Sequence, residues 1–206
     1  MILEQVVVQP FGVNCYIVAS REQSSAMLID PGGDEAKIRK VLVKYTLEPA
    51  LIVNTHGHID HIGADDAFDV PVYIHRRELE LLQDPRRNLS DFLLSPKTVS
   101  SKIHPVEEGD YIELQDIRLE VIFTPGHTPG GMCLLMKKPL EKILFSGDTL
   151  FYRSVGRTDF PGAGEAQLIK SIKEKLLILP DDTVVYPGHG PSSTIGRERK
   201  NNPFLA

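Results

Sequence analysis

Cysteine and tryptophan, which often anchor small folds, are scarce in this chain. It has 2 cysteines and no tryptophan among its 206 residues. Cys15 and Cys133 each lie among apolar residues, so we expect buried strand positions rather than a disulfide or metal ligands. The low cysteine content, and an N-terminus that resembles a strand rather than an export signal, lead us to expect a protein of the reducing cytoplasm.

Long apolar runs and an excess of positive charge are also lacking. No apolar run reaches the ~18 residues that a membrane span requires. The 23 lysines and arginines are outnumbered by 28 acidic residues, the formal net charge is −5, and no basic stripe is present. Proteins that neutralise nucleic-acid phosphates need such a stripe. We therefore expect neither a membrane nor a nucleic acid as the partner.

The length and the hydrophobic content of 41% suit one α/β domain covering residues 1–206. Apolar runs bounded by turn residues predict strands at 6–8, 14–19, 26–29, 51–53, 72–74, 111–114, 117–123, 132–136, 142–145 and 183–186. Apolar spacings of three and four predict helices at 34–45, 63–68, 76–83, 165–177 and 195–202, the first capped by Asp34. Residues 85–101 show no period, which predicts a loop over the site or a poorly ordered connection.

The densest chemical feature is a cluster of metal-ligand side chains directly after the strand at 51–53. His56, His58, Asp60 and His61 occur within six positions. Imidazole and carboxylate groups bind zinc, iron and manganese. His56 and His58 are two residues apart, so both side chains can share one side of an extended backbone. The segment therefore predicts a metal site at the end of a buried strand.

Three further ligand candidates have the same setting, a strand followed by a glycine-containing turn. They are His127 in 124–130, Asp148 in 146–149 and His189 in 186–190. Glycine allows a sharp turn close to an ion, and proline stiffens several of these turns. Seven ligands exceed what one tetrahedral ion needs, but they suit two ions that share a carboxylate. The pattern predicts a binuclear metallohydrolase.

The order of these residues resembles the signature of the metallo-β-lactamase superfamily, H-x-H-x-D-H followed by separate His, Asp and His, over essentially the whole chain. The segments 147–151, 156–160 and 187–191 resemble the glyoxalase II branch, the hydroxyacylglutathione hydrolases, and most of all its compact, single-domain bacterial members. This resemblance implies an α/β fold arranged as a four-layered αββα sandwich. It places the metals at one edge, between the two sheets.

The resemblance also implies a division of the ligands between two metals. The first metal would be held by His56, His58 and His127, the second by Asp60, His61 and His189, and Asp148 would bridge them. We expect two zinc ions, with iron or manganese as alternatives. Asp30, which follows a strand but lies outside the signature, is predicted to shape a turn and to orient a ligand. His75 and His104 are predicted to be structural or surface residues.

The expected chemistry is hydrolysis of a small acyl-thiol by a hydroxide that bridges the two metals, with Asp60 and Asp148 as the catalytic carboxylates. A thiolate, whose conjugate acid has a pKa of ~8.5, leaves without a proton, whereas an amine needs one. The sequence offers no evident acid besides Asp60, so a thioester of the S-lactoylglutathione type fits best. The resemblance implies that Arg157 binds the substrate, and Tyr152 could line the same entrance. A salt bridge from Arg157 to Asp159 is the alternative.

The same fold and ligands are compatible with other thiols and other functions. Full-length glyoxalase II enzymes continue into a helical domain that helps to bind glutathione, whereas this chain reaches Ala206 soon after His189, so the thiol is undecided. Persulfide dioxygenases share the fold and the 156–160 segment but use one iron. A lactonase would use the same hydroxide. A β-lactamase, a nuclease and a binding scaffold fit less well. The sequence does not fix the oligomeric state.

Overall fold

Two six-stranded sheets form the centre of the computed structural model, which describes residues 1–140 and 142–206. The first sheet has its strands in chain order: β1 (Ile2–Val8), β2 (Val13–Ala19), β3 (Ser25–Ile29), β4 (Glu48–Val53), β5 (Val72–His75) and β6 (Ile103–Val106). The pairs from β1 to β3 are antiparallel, and those from β3 to β6 are parallel. β6 was not predicted from the sequence.

The second sheet is built from the other half of the chain. Its strands are β7 (Tyr111–Leu114), β8 (Ile117–Phe123), β9 (Met132–Lys138), β10 (Ile143–Gly147), β13 (Val184–Pro187) and β14 (Ser193–Thr194). They are arranged in the order β14-β13-β10-β9-β8-β7, with only β10 and β13 parallel. A separate hairpin joins β11 (Leu150–Phe151) to β12 (Ser154–Val155).

Helices connect the strands and cover the outer faces of the sheets. They are α1 (Glu35–Lys44), α2 (Ile59–Ile62), α3 (Leu79–Gln83), α4 (Glu165–Ser171) and α5 (Ile195–Asn201). Short 3₁₀ turns occupy 65–67 and 76–78, and a π-helical turn at 172–176 extends α4. In the part of the chain that the structure describes, no helix is both long and apolar enough to cross a bilayer.

The strand period of two divides the core into layers. In β2, Tyr16 and Val18 pack between the sheets, whereas Cys15 and Ile17 face the layer that contains α1. Leu168 of α4 covers the outer face of the second sheet in the same way. The result is helix, sheet, sheet, helix, which confirms the predicted four-layered αββα sandwich. Cys15 and Cys133 are free and buried in strands, as predicted.

Two local predictions were wrong. The helix predicted at 63–68 is replaced by α2 and a 3₁₀ turn, because the chain turns helical already at Ile59, inside the ligand motif. Asp34 precedes α1 but makes no capping hydrogen bond from its side chain. Its carboxylate instead accepts a hydrogen bond from the Gln9 amide at 2.9 Å, which ties the start of α1 to the turn after β1.

Candidate metal centre

The seven predicted ligands all follow the carboxyl ends of strands, at one edge of the sandwich. The first four follow β4 of the first sheet, and the other three follow β8, β10 and β13 of the second. Chain leaving a sheet at its edge exposes side chains that the core would otherwise cover. The two sheets meet at this edge, so both contribute to one cluster. The candidate ligands are His56, His58, Asp60, His61, His127, Asp148 and His189.

The first ligand group consists of three buried histidines. His58 Nδ1 lies 3.1 Å from His56 Nε2 and 3.0 Å from His127 Nε2. All three rings are buried. His56 and His58 come from the loop after β4 and His127 from the loop after β8, so the group joins the two sheets. Three nitrogens converging on one point match the donor set of a catalytic zinc.

The second group contains Asp60, His61 and His189. Asp60 Oδ2 lies 3.1 Å from His189 Nε2 and 3.7 Å from His61 Nε2. Asp60 and His61 are adjacent residues in α2, and the turn of this short helix directs both toward the half-buried His189. Adjacent side chains point to opposite faces of a strand but not of a helix, so adjacent residues can reach one site here. His56 and His58, in extended backbone, are instead two residues apart.

Asp148 lies between the two groups. Its Oδ1 is 3.4 Å from His61 Nε2, and its Oδ2 is 3.7 Å from His127 Nε2 and 3.8 Å from His189 Nε2. One carboxylate therefore faces both groups, the arrangement that two ions sharing a ligand require. His61 Nε2 and Asp148 Oδ1 are buried without a hydrogen-bond partner among the described residues. Buried polar atoms are normally satisfied, so these two atoms fit metal coordination.

Glycines allow the chain to pass close to these ligands. A Cβ at Gly188 would lie 2.3 Å from Asp148 Oδ1 and 2.7 Å from His61 Cε1. A Cβ at Gly156 would lie 1.9 Å from the Asp148 carbonyl oxygen. Either side chain would displace Asp148, so these two glycines are required by space rather than by a left-handed backbone conformation.

Groups beside the outer ring nitrogens position two of the histidines. His61 Nδ1 lies 3.0 Å from Asp30 Oδ2, an ion-pair contact without hydrogen-bond geometry, and His127 Nδ1 lies 2.7 Å from the Arg157 carbonyl oxygen, within hydrogen-bond distance. Asp30 also accepts hydrogen bonds from the Thr55 amide at 2.7 Å and the Thr55 hydroxyl at 2.8 Å. A partner on one ring nitrogen leaves the other free to bind metal. The geometry confirms the predicted role of Asp30 in shaping the turn and orienting a ligand.

The charges of the site favour a bound cation. Burial, reinforced by neighbouring histidines, lowers the pKa of His56 far below its usual range and that of His58 to about 3, so both rings are neutral ligands at pH 7. Burial also opposes the charge on His61, but Asp30, Asp60 and Asp148 outweigh it and raise its pKa. A carboxylate set that draws a proton to His61 would also attract a metal ion in place of that proton.

Glu78 is a residue of the site that the sequence analysis did not identify. It is fully buried, and its carboxylate accepts hydrogen bonds from the amides of Gly57, at 2.8 Å, and Gly130, at 2.5 Å. Gly57 lies between His56 and His58, and Gly130 lies in the loop of His127, so Glu78 ties together both loops of the first ligand group. In the sequence it is one of several polar residues of a predicted helix, and nothing marks it as buried.

A cavity of about 440 Å³ opens over the ligands. Arg157 lines it, and its Nε and Nη2 donate hydrogen bonds to Asp159 at 3.0 and 2.7 Å. Tyr152 lies outside the lining and packs against the Arg197 guanidinium. The structure therefore places Arg157 at the cavity, where it also makes the salt bridge to Asp159 that the sequence offered as its alternative role. Tyr152 does not line the cavity.

The segment 85–101 does cover the site. Its Leu89 and Phe92 line the cavity, and the Asn88 carbonyl accepts a hydrogen bond from the Ile59 amide at 2.8 Å. The two other histidines are structural, as predicted: His75 stacks on Phe123 and His104 stacks on Tyr73.

The geometry agrees with comparison to known proteins. The family model of the metallo-beta-lactamase superfamily matches residues 8–189, which include every ligand of both groups. The chain belongs to this superfamily. Among its relatives, hydroxyacylglutathione hydrolase GloC of Haemophilus influenzae is 34% identical over 217 residues, covering 100% of this chain and 98% of GloC.

Two solved structures resemble the chain closely. The B3 metallo-beta-lactamase BLEG-1 has a TM-score of 0.91 at 38% identity, with 100% of both chains covered. TTHA1623, in a di-iron-bound form, has a TM-score of 0.82 at 37% identity, covering 98% of this chain and all of that one. The chain is thus a superfamily metallo-hydrolase whose His/Asp cluster is compatible with two metal ions, and the di-iron form of TTHA1623 leaves their identity open.

Proposed function

We propose that this protein hydrolyses small acyl-thioesters of the S-lactoylglutathione type at a two-metal site. The observation that carries the proposal is Asp148, whose carboxylate faces two ligand groups at the floor of a cavity. The name of GloC, a hydroxyacylglutathione hydrolase, supports the substrate class. We expect zinc in both positions, because imidazole and carboxylate donors suit it, with iron or manganese as alternatives.

The residues of the chain divide the work of the reaction. Two divalent cations bound here would supply a hydroxide at neutral pH and an electrophile for the carbonyl oxygen. Asp148 fixes the spacing of the two ligand groups, and Asp30 holds the His61 ring in position. Water adds to the carbonyl carbon, the C–S bond breaks with its electron pair on sulfur, and the products are an acid and a thiol.

The titratable groups of the cavity favour a thioester over an amide. Among the described residues that line it, every titratable side chain is a metal-ligand candidate except Arg157, which is held by Asp159. The lining therefore offers no free acid to protonate a leaving amine. A thiolate leaves without a proton because its conjugate acid has a pKa of about 8.5. The partner we propose is accordingly a small-molecule acyl-thiol.

The test combines elemental analysis with assay of S-D-lactoylglutathione on the same sample. About two metals per chain, with hydrolysis that a chelator abolishes and zinc restores, would support the proposal. One iron per chain, no hydrolysis, and oxygen uptake with glutathione persulfide would instead identify a dioxygenase. Two metals without turnover of S-D-lactoylglutathione would overturn that substrate and direct the search to lactones and other acyl-thiols.

The likeness to BLEG-1 favours a second candidate, hydrolysis of a β-lactam. This reaction uses the same nucleophile, but its leaving group is an amine that needs a proton. Assaying a penicillin and a cephalosporin beside the thioester compares the two substrates directly. A higher kcat/KM for the β-lactam would replace the first proposal with the second.

A further inference from the structure

Aromatic side chains from three separate segments surround the cavity. Phe11 comes from the turn between β1 and β2, Phe92 from the segment 85–101, and Phe151 and Phe160 from the chain that follows Asp148. None of these segments forms part of the sheets' core. Four phenylalanines meeting from such distant points in the sequence make most of the cavity wall apolar, apart from Arg157 and the candidate ligands at the floor.

The four rings form an inner and an outer pair. The half-buried Phe160 ring lies 5.0 Å from the His58 ring and 5.8 Å from that of His127, and Phe151 lies 6.3 Å from His189. The inner pair thus narrows the space beside the ligands. It leaves room there for a carbonyl with a small acyl group.

The outer pair borders the entrance. The Phe11 and Phe92 rings meet edge to face, 6.5 Å apart at 83°. Phe92 is nevertheless 66% exposed and Phe11 38% exposed. Apolar side chains that stay exposed while lining the mouth of a cavity offer an apolar surface to a bound ligand. If the acyl group is small and lies between the inner rings, the bulk of the thiol must lie against Phe11 and Phe92.

The charged groups of the lining also favour an uncharged thiol over glutathione. Glutathione carries two carboxylates, which bind best to unpaired cations. Over the described residues of the lining, Arg157 is the one cation, and both of its hydrogen bonds at this face go to Asp159 while its guanidinium stacks on Phe160. The other charged groups of the lining are Asp60 and Asp148.

We propose that the Phe11–Phe92 pair is the specificity-determining element of the entrance, and that it selects acyl-thioesters whose thiol is apolar and uncharged over those of glutathione. The proposal rests on the thioesterase function proposed above, because it assigns the thiol, rather than the acyl group, to the entrance. It adds the class of thiol.

The experiment compares two thioesters with the same acyl group, S-lactoylglutathione and the S-lactoyl thioester of benzyl mercaptan. The metal-loaded wild type should have the higher kcat/KM for the benzyl thioester. Phe92→Ala should lower that value about tenfold, mostly through KM, and change the value for S-lactoylglutathione less than about twofold, because only the apolar thiol contacts the ring. Phe11→Ala should act in the same direction.

Phe204→Ala is the matched control, since Phe204 is an exposed phenylalanine outside the cavity lining. It should leave both kcat/KM values unchanged. A wild type that prefers S-lactoylglutathione would overturn the proposal. So would a Phe92→Ala variant that loses activity equally toward both thioesters, because the ring would then have no role in choosing the thiol.

A binding measurement separates this proposal from the proposed function. If the metal-loaded protein hydrolyses neither thioester, the thioesterase function fails. Calorimetry with two unreactive thioethers, S-benzyl and S-glutathionyl, each carrying a 2-hydroxypropyl group in place of lactoyl, then decides the entrance proposal alone. Tighter binding of the benzyl compound, lost in Phe92→Ala, supports it, and tighter binding of the glutathionyl compound overturns it.

Discussion

Replacing Glu78 should weaken both the fold and the first ligand group. Its two carboxylate oxygens each accept a hydrogen bond from a different loop, the Gly57 amide at 2.8 Å and the Gly130 amide at 2.5 Å. Gly57 is adjacent to His56 and His58, and Gly130 follows His127 by three residues. Loss of the carboxylate therefore leaves two buried donors without partners, at the point where the loops of the two sheets meet.

The magnitude follows from counting these donors. Glu78→Gln keeps the shape and one acceptor oxygen but turns an NH₂ group toward the other amide, so it should cost about 1–3 kcal/mol, the penalty of one unsatisfied buried group. Glu78→Ala leaves both donors unsatisfied and should cost about 2–6 kcal/mol from that source alone. Loss of an outer partner of metal ligands should also weaken metal binding, by about 10- to 100-fold.

The assay is urea unfolding of the metal-free protein, followed by titration of the folded variants with zinc. Glu80→Gln is the control, because Glu80 lies in α3, two residues after Glu78, and among the described residues its side chain makes only an exposed ion pair with Arg87. It should change the free energy of unfolding by less than about 0.5 kcal/mol. If Glu78→Gln is as stable as Glu80→Gln and binds zinc as tightly, Glu78 does not hold the two loops together, and the reasoning fails.

Three further predictions concern single carboxylates. Asp148→Asn should reduce the metal content to one ion or fewer by elemental analysis while the circular dichroism spectrum is retained; two tightly bound ions would contradict a bridging role. Asp30→Asn should lower zinc affinity about 10- to 100-fold through the His61 ring, and an unchanged titration would refute this. Burial raises the pKa of Asp66, but hydrogen bonds from Ser101 and Ser100 outweigh it and lower the pKa. The contribution of Asp66 to folding stability should therefore be present above about pH 4 and disappear as pH falls through the lowered pKa. An NMR titration midpoint above about 3.9 would contradict this prediction.

The clustering of the seven candidate ligands could be predicted because its signal is local. His56 to His61 crowd four ligands into one segment, and the other three each follow an apolar run and precede or follow glycine. Strand ends and tight turns are properties of short stretches of chain, so periodicity and residue type suffice to find them. The sequence also shows that Asp30, like the candidate ligands, directly follows a strand.

The residues around the ligands could not be predicted, because their roles depend on tertiary contacts. Glu78 has the sequence environment of a solvated helix residue, and only the approach of Gly130 makes it a buried acceptor. Phe11 and Phe92 are separated by about two fifths of the chain, and no period relates them. α2 was not predicted because the spacing of His56 and His58 suggested extended backbone through the motif. In the structure the chain turns helical at Ile59, and this turn directs Asp60 and His61 toward His189.

The origin of the ligands has a consequence for stability. Each group takes residues from the loop after β4 of the first sheet and from loops of the second, so a metal bound by either group would link the two sheets. Binding that requires the folded state stabilises it by about 1.4 kcal/mol for each tenfold excess of free metal over its dissociation constant. Without metal, Asp30, Asp60 and Asp148 raise the pKa of His61 despite its burial, so a proton on this ring would offset part of their negative charge.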